Sequence, residues 1–340
     1  MKTQSAKELG KTRAAFLQQL LSQGFDPAFA EKTADDAVKA GQVSDDDDGK
    51  VELDGQQRVD AEREAVRIAM ATLESRLRVQ DLVEMVPEGS PLRQLYSENY
   101  PRVFHDSGLE SVEFIDRFPV LNGNYGYTRG ESRPGATRLV SYRHPQSGNP
   151  VVYADVAQTE ALFVKLDPVK VARWLENRGH KLFKWEDATS ARLSILKSAV
   201  LPPVGSDPPG INTIGSDLLS LVHSYSHRMI RKTAVLAGLD RNSLSEFLVP
   251  LHLGFFVFAA ARGGFVLGGL QAMYEAELVP LLEAVVFDEH RCALDPGCLR
   301  SGASCAACMH LGEPSCRWFN RFLDRGTLSG AEGYFQFESS

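Results

Sequence analysis

All five cysteines of this sequence lie between Cys292 and Cys316, with the spacing C-x5-C-x6-C-x2-C-x7-C. Thiolates hold zinc in a tetrahedron, and a C-x-x-C turn presents two of them to one ion. In a chain that starts with a polar segment rather than a secretory signal, such a cluster is more typical of a metal site than of disulfides. The spacing therefore predicts one structural Zn²⁺ ion on four thiolates, rather than a redox pair or an open catalytic centre.

The choice of four ligands among five cysteines depends on local turns. Cys305 and Cys308 form the C-x-x-C pair and are the firmest members. The turn at 295–297 would present Cys298 from a tight loop, whereas Cys292 follows a predicted helix and is a reserve ligand or a packing residue. The predicted zinc ligands are Cys298, Cys305, Cys308 and Cys316.

Two histidines offer a second possible chemistry. His223 and His227 are spaced i, i+4 in a predicted helix, so both imidazoles face one side and could hold a metal. Together with Glu246 they define an alternative function, a metal-dependent hydrolase or nuclease. No Glu follows the first His as in H-E-x-x-H. The other interpretation is a pair of buried histidines that bond to neighbouring loops.

The same predicted helix carries a short basic run, Arg228, Arg231 and Lys232. These side chains could contact the phosphate backbone of DNA, or they could form an ordinary solvated face. Gly263–Gly264 and Gly268–Gly269 precede no Lys-Ser/Thr pair, so they form neither a P-loop nor a dinucleotide fingerprint. The sequence predicts no ATPase or nuclease activity, no catalytic residues and no bound organic cofactor.

Composition limits the class of protein. The chain has 340 residues, 43% apolar and 24% charged, with a formal net charge of −7 and a pI of about 5.7. These values fit a soluble protein with real hydrophobic cores and exclude a uniformly basic nucleic-acid coat. No apolar stretch reaches the roughly 18–20 residues of a membrane span. We expect a cytoplasmic protein without membrane contact.

The helices and strands expected from the sequence indicate an α+β fold in three regions, which would position these groups. Residues 1–80 are expected to be helical, with an acidic linker at 41–55 that contains the run Asp45–Asp48. Residues 81–198 are expected to form a mixed α/β region, with strands at Ser111–Ile115, Thr137–Tyr142, Val151–Asp155 and Ala161–Leu166. Asp167–Pro168 suit the N-cap and first position of a helix through Glu176.

The third predicted region, residues 212–340, is the zinc-binding domain, which follows a proline-rich loop at 199–211. It should begin with a long helix at about Ser216–Leu239. A buried strand is expected within 247–261, ending in a glycine-rich turn at Arg262–Gly269. A helix at Leu270–His290 then delivers the chain to the cysteines.

The order of several segments resembles a known domain. It runs HSYSH, SLSEFLV, GFFVFAAARGGFVLGGL, C-x5-C, C-x-x-C and SCRWFNRFLDR. This pattern is similar to the zinc-binding domain of MrfA-like helicases and, most of all, of the DrmB subunit of the DISARM anti-phage system. The resemblance covers about Leu218–Leu328. It is weaker over 112–166, through GYTRG at Gly126–Gly130 and the strand at Glu160–Asp167.

The resemblance implies a non-catalytic accessory subunit of a prokaryotic anti-phage defence or DNA repair complex. Its expected partners are a superfamily-2 helicase and DNA, because the chain lacks the helicase core of MrfA-like enzymes. The family's cysteines are taken to hold zinc, which carries over to Cys298, Cys305, Cys308 and Cys316, with Cys292 possible. A third function class, a protein-interaction scaffold without DNA contact, fits the acidic net charge.

Overall fold

The computed structural model describes residues 16, 20, 25–39, 55–130, 137–260, 267–288, 290–312 and 315–336. The chain divides into two compact units, Met1–Asp54 and Gly55–Ser340. In the first unit, helix α1 (Pro27–Lys39) buries Ala30, Ala34 and Ala37, which share one face at helical spacing. The predicted linker at Asp45–Asp48 lies outside the described residues.

The second unit combines helices with two antiparallel sheets, and the α+β class predicted from the sequence is confirmed. Its first helices are α2 (Gly55–Thr72), α3 (Val79–Met85), α4 (Pro91–Gln94) and α5 (Tyr100–Asp106), with a π-helical turn at Leu95–Asn99. The next elements are β1 (Leu109–Asn124), β2 (Gly126–Gly130), β3 (Thr137–Ser141), β4 (Tyr153–Leu166), α6 (Pro168–Asn177) and α7 (Ala188–Ser198). The last are α8 (Ile214–Leu236), β5 (Leu244–Val249), β6 (Gly254–Ala259), α9 (Gly269–Ala276), α10 (Leu278–Phe287), α11 (Gly297–Arg300) and α12 (Gly326–Ser329).

A four-stranded sheet in the order β1-β4-β6-β5 forms the centre of the second unit. Phe163 of β4 pairs with Phe256 of β6, and their rings stack with centroids 4.2 Å apart. The sheet thus joins strands from the regions predicted as 81–198 and 212–340. Both predicted boundaries, near 81 and 212, fall inside one compact unit.

The β1–β4 hairpin has two different halves. The half near Val112 and Val164 is buried in the central sheet, and the predicted strands Ser111–Ile115 and Ala161–Leu166 fall there. The distal half, from Leu121 opposite Val156 to the hairpin end, is exposed to solvent. Strands β2 and β3 pair with each other in a separate two-stranded sheet.

Two apolar segments were each expected to form a single strand or helix, and each forms two such elements. The segment 247–261 was expected to contain one strand, but β5 and β6 are separate strands joined by a 3₁₀ turn at Pro250–His252. Leu253 ends this turn with a φ of 55°, so the chain reverses and the two strands pair. Likewise, the expected helix Leu270–His290 breaks at Glu277 into α9 and α10. Most of the predicted glycine-rich turn lies outside the described residues.

The central helix α8 is buried on nearly all sides, which is the property of a helix inside a core. Thr213 caps its N-terminus through the Ser216 backbone N–H at 3.2 Å. Gly215 lies so close to the Val200 carbonyl that an added Cβ would be 1.8 Å from that oxygen. None of the described helices has both the length and the apolar character that crossing a membrane requires.

Helix α2 contributes a buried carboxyl group, Glu64, to the contact with the turn that follows β5. Its Oε2 accepts the His252 backbone N–H at 3.3 Å, and His252 Nε2 contacts the Ala61 carbonyl at 3.0 Å. Burial raises the pKa of Glu64 from 4.5 to about 8. The Glu64 carboxyl group therefore binds its proton more tightly in the folded chain than in the unfolded chain.

This shift predicts a pH dependence of stability. Between about pH 4.5 and 8, unfolding releases the Glu64 proton, so the free energy of unfolding falls by up to about 1.4 kcal/mol per pH unit. Glu64→Gln stays neutral, and its stability relative to the wild type should increase steadily from pH 5 to pH 8 in urea unfolding. Glu62→Gln, on the exposed side of α2, is the control. Parallel pH profiles for Glu64→Gln and the wild type would contradict the assignment.

Candidate metal centres

Four thiols converge in the loop region after α10. The Sγ atoms of Cys292, Cys298, Cys305 and Cys308 all lie within 4.8 Å of one another. The Cys292–Cys305 distance is 3.5 Å, and Cys308 lies 3.7 Å from both Cys298 and Cys305. None of these cysteines is in a disulfide. We call this group the four-thiol site.

The geometry of the four-thiol site suits a tetrahedral metal ion. A Zn–S bond of about 2.3 Å implies a sulfur–sulfur edge of about 3.8 Å, close to the distances between these thiols. Four protein ligands close the coordination sphere and leave no position for substrate or water. The four-thiol site can therefore hold a metal ion in a structural role.

Short turns, rather than long elements, position the four thiols. The backbone N–H of Cys308 and that of Met309 both donate to the Cys305 carbonyl, at 3.2 and 2.9 Å, which closes the C-x-x-C turn. Cys298 lies in α11, and its N–H donates to the Leu294 carbonyl at 3.0 Å. Asp295 accepts the Cys292 N–H at 3.0 Å and pairs with Arg325.

Electrostatics differ among the thiols of the four-thiol site. The Cys308 backbone N–H donates to Cys305 and, with other hydrogen bonds, lowers the pKa of the Cys305 thiol to about 6. Burial, together with the neighbouring thiols, raises the pKa of Cys298 well above its usual value. Cys305 thus becomes a thiolate more readily than Cys298 or Cys308, whose pKa values are raised mainly by burial.

The observed four-thiol site differs from the predicted ligand set in one member. Cys298, Cys305 and Cys308 come together as expected, but Cys292 lies beside them in place of Cys316. The reason is that a turn formed by the Asp295 N–H and the Cys292 carbonyl, 3.0 Å apart, brings Cys292 back to the thiols. Cys316 instead points into the core next to α8.

Cys316 belongs to a second group, which also contains His223, His227 and Glu246. His223 Nε2 lies 3.3 Å from Cys316 Sγ and 3.1 Å from Glu246 Oε1, and His227 Nε2 lies 3.4 Å from the same oxygen. The two imidazole rings are nearly perpendicular, with centroids 4.4 Å apart. Both histidine side chains are 0% exposed. We call this group the buried histidine cluster.

Three elements bring the buried histidine cluster together. Helix α8 places both histidines on one face, as their i, i+4 spacing predicted. Strand β5 supplies Glu246, and its backbone N–H donates to the Ser315 carbonyl at 3.1 Å, which holds the Cys316 loop against the strand. The sequence pattern indicated Glu246 as a partner of the two histidines, but it did not indicate that Cys316 lies beside them. A charged residue within an apolar strand was the available signal for Glu246.

The charges in the buried histidine cluster reinforce one another. Burial disfavours protonation of His227, but the Glu246 carboxylate outweighs it and raises the pKa of His227 to about 10. Burial also opposes ionisation of Cys316, yet hydrogen bonds from both histidines lower its pKa to about 7. The two histidines hold the pKa of Glu246 well below its usual range against the effect of burial. The cluster thus favours a carboxylate and a thiolate.

The predicted basic run lies on α8 next to the four-thiol site. Arg228 donates to the Val285 carbonyl at 2.6 Å, and Arg231 donates to the Ala307 carbonyl at 2.7 Å. Lys232 pairs with Asp288. These side chains therefore hold the loops around the thiols, and they also line one cavity together with Arg291 and Arg325.

Comparison with known proteins gives one informative match. The chain is similar to a DISARM protein. That relative is DISARM protein DrmB of Bacillus paralicheniformis, which is 24% identical over 186 residues. The match covers 50% of this chain and 31% of the relative, so it spans about a third of the length of DrmB. No family model matches this chain.

The geometry of the four-thiol site predicts which cysteines are required for metal binding. Cys292→Ser and Cys308→Ser should each reduce the zinc content by one ion per chain, because three thiolates hold the ion less tightly than four. Zinc binding contributes on the order of 10 kcal/mol in zinc-finger peptides, so both variants should also loosen the segment 290–312. Elemental analysis and hydrogen exchange measure the two effects.

The control for this prediction is Ser304→Ala, a change in the same loop at a residue outside the four-thiol site. It should leave the zinc content unchanged. Full zinc content in Cys292→Ser would show that Cys292 is not a ligand and would restore the set predicted from the sequence.

Proposed function

We propose that this chain is a non-catalytic, zinc-stabilised accessory subunit of a prokaryotic DISARM-type anti-phage defence or DNA repair complex. In this proposal it acts in the cytoplasm beside a superfamily-2 helicase on DNA. The observation that carries the proposal is the similarity to DISARM protein DrmB over half of the chain. The four-thiol site adds support, since it falls where the sequence resembles the zinc-binding domain of that family.

Zinc is the metal that suits the four-thiol site best. Soft thiolates select zinc and a few other soft metals, and closed tetrahedral sites made of four thiolates are typical of structural zinc. The loop around the site has little core of its own: Cys292 and Cys298 are buried, but Leu294 and Leu299 are 60% and 61% exposed. Metal ligation would supply the stability that this loop does not obtain from hydrophobic burial.

A local basic cavity supports a DNA contact despite the net charge of −7. The cavity is lined by five cationic side chains, Arg228, Arg231, Lys232, Arg291 and Arg325. Arg228 and Arg231 donate to backbone carbonyls, which carry no net charge and do not neutralise the guanidinium groups. Asp288 offsets part of the charge of Arg228, so it is the set of five cations that would attract a phosphate. Such a patch can bind the DNA backbone without reading its sequence.

The burial of the histidines favours the accessory role over the hydrolase alternative. A hydrolytic metal needs an open position that substrate and water can reach. His223 and His227 are both 0% exposed, and Glu246 is 1% exposed. The sequence also has no complete G-x-x-x-x-G-K-[ST] motif for the phosphates of ATP, because Gly10 precedes Lys11 and Thr12 but Ser5 stands where the first glycine is required.

The proposed partnership is tested by searching the neighbouring genes for a superfamily-2 helicase and by mixing that purified helicase with the purified chain. We expect the two proteins to co-elute as a complex, and the chain alone to hydrolyse neither ATP nor DNA. ATP or DNA hydrolysis by the chain alone, in a preparation shown to lack the helicase, would overturn the non-catalytic assignment. Separate elution of the two proteins would overturn the helicase partnership.

The proposed DNA contact predicts a salt-dependent affinity. Lys232→Gln and Arg291→Gln should each weaken binding to a fluorescent duplex and reduce the slope of log affinity against log salt concentration by about one. Arg102→Gln, an exposed change on α5 outside the cavity, should leave both quantities unchanged. Equal affinity for all four proteins would place DNA elsewhere. No binding by the wild type at low salt would favour the scaffold function.

A further inference from the structure

We propose that the buried histidine cluster is a second metal site, which binds a divalent zinc-like ion independently of the four-thiol site. The four ligands are His223, His227, Glu246 and Cys316. This site goes beyond the proposed function, which requires only the four-thiol site.

The donor atoms have the spacing of a tetrahedral site. Nε2 of both histidines, Oε1 of Glu246 and Sγ of Cys316 lie within 4.8 Å of one another. His223 Nε2 lies 3.1 Å from Glu246 Oε1 and 3.3 Å from Cys316 Sγ, and His227 Nε2 lies 3.4 Å from Glu246 Oε1. Zinc bonds of about 2.0–2.1 Å to nitrogen and oxygen and about 2.3 Å to sulfur imply edges of about 3.3–3.6 Å. A small relaxation of the side chains would therefore admit an ion at the centre.

Neighbouring groups orient the ligands as outer partners do in metal sites. His227 Nδ1 lies 2.9 Å from the Met309 carbonyl, which can only accept, so Nδ1 carries a proton. Its Nε2 thus faces the cluster and offers a lone pair once a metal ion displaces the proton on that nitrogen. Ser226 Oγ donates to Glu246 Oε2 at 2.7 Å and leaves Oε1 for the metal. The Asn320 N–H donates to Cys316 Sγ at 3.2 Å.

The formal charges of the ligands match a divalent cation. A bound metal ion takes the place of the Nε2 protons of the histidines, which leaves two neutral imidazoles, one carboxylate and one thiolate. These ligands together carry two negative charges, so a divalent ion makes the site neutral. Neutrality matters here because Glu246 and Cys316 are each 1% exposed, and unpaired buried charges are costly. Four protein ligands also leave no open position, which indicates a structural ion that links α8, β5 and the Cys316 loop.

The two sites are separated by counting metal ions in full-length variants. After dialysis against a chelator that removes loosely bound metal, the wild type should retain two zinc ions per chain by elemental analysis. Cys316→Ser should retain only the ion of the four-thiol site, and Cys308→Ser should retain only the ion of the buried histidine cluster. A wild type with one ion, retained in Cys316→Ser and lost in Cys308→Ser, would overturn the second site. This count does not depend on helicase or DNA binding, so the proposed function can fail separately.

Cobalt spectroscopy identifies the ligands of each ion and does not rely on the count alone. Co²⁺ bound to Cys308→Ser should show weak sulfur-to-cobalt absorption, since one thiolate ligates it at the buried histidine cluster. Co²⁺ bound to Cys316→Ser should show the strong absorption of a site with four thiolates. Glu246→Gln preserves the side-chain shape. It should weaken Co²⁺ binding at the buried histidine cluster and leave the absorption of the four-thiol site unchanged. If Cys308→Ser binds no Co²⁺ while its circular dichroism stays native, the cluster is not a metal site.

Discussion

A single buried carboxylate, Glu246, connects the parts of this structure on which its candidate sites depend. Its Oε1 meets the Nε2 atoms of two α8 histidines, and its Oε2 accepts the Ser226 hydroxyl. The backbone N–H of the same residue holds the loop before Cys316. A carboxylate in such a position is costly to bury unless every partner is present. The helix, the strand and the loop are therefore constrained together.

Helix α8 extends this constraint to the four-thiol site. His227 bonds to the Met309 carbonyl, one residue after Cys308, and Arg231 bonds to the carbonyl of Ala307, one residue before it. The C-x-x-C turn is thus held from the core side by α8, independently of any ion. Loss of the fold around α8 would also displace Cys305 and Cys308, so the two candidate metal sites depend on one scaffold.

The cationic cavity beside the four-thiol site is the feature on which the proposed DNA contact depends. The chain is acidic as a whole, yet one cavity beside Cys308 is lined by cationic side chains from α8 and the loops that follow α10. Those cations are positioned by the same hydrogen bonds that hold the loop of the four-thiol site. In the proposed function, a structural metal would stabilise the cationic cavity that we expect to contact phosphates, without taking part in any reaction.

Elements and contacts that depend on neighbouring residues were predictable from the amino-acid sequence alone. Asp167–Pro168 predicted the start of α6, where Asp167 accepts the Val169 N–H at 2.8 Å, and the C-x-x-C spacing predicted a thiol pair. Hydrophobic pattern likewise placed α8 to within a few residues. In these cases the decisive interactions span a few residues, so local spacing carries the information.

The assignment of each cysteine to one of the two groups depends on contacts between residues that are far apart in the sequence. His223 and Cys316 are separated by 93 positions, and no local pattern relates them. Pairing of β5 with β6 places Glu246 against α8, and the Glu246 N–H then draws the Cys316 loop into the core. Cys316 consequently lies apart from the other thiols, and Cys292 occupies the position in the four-thiol site that was predicted for Cys316. The physical reason is that burying Glu246 requires partners that are distant along the chain, and these are brought together only by packing of the sheet and the helix.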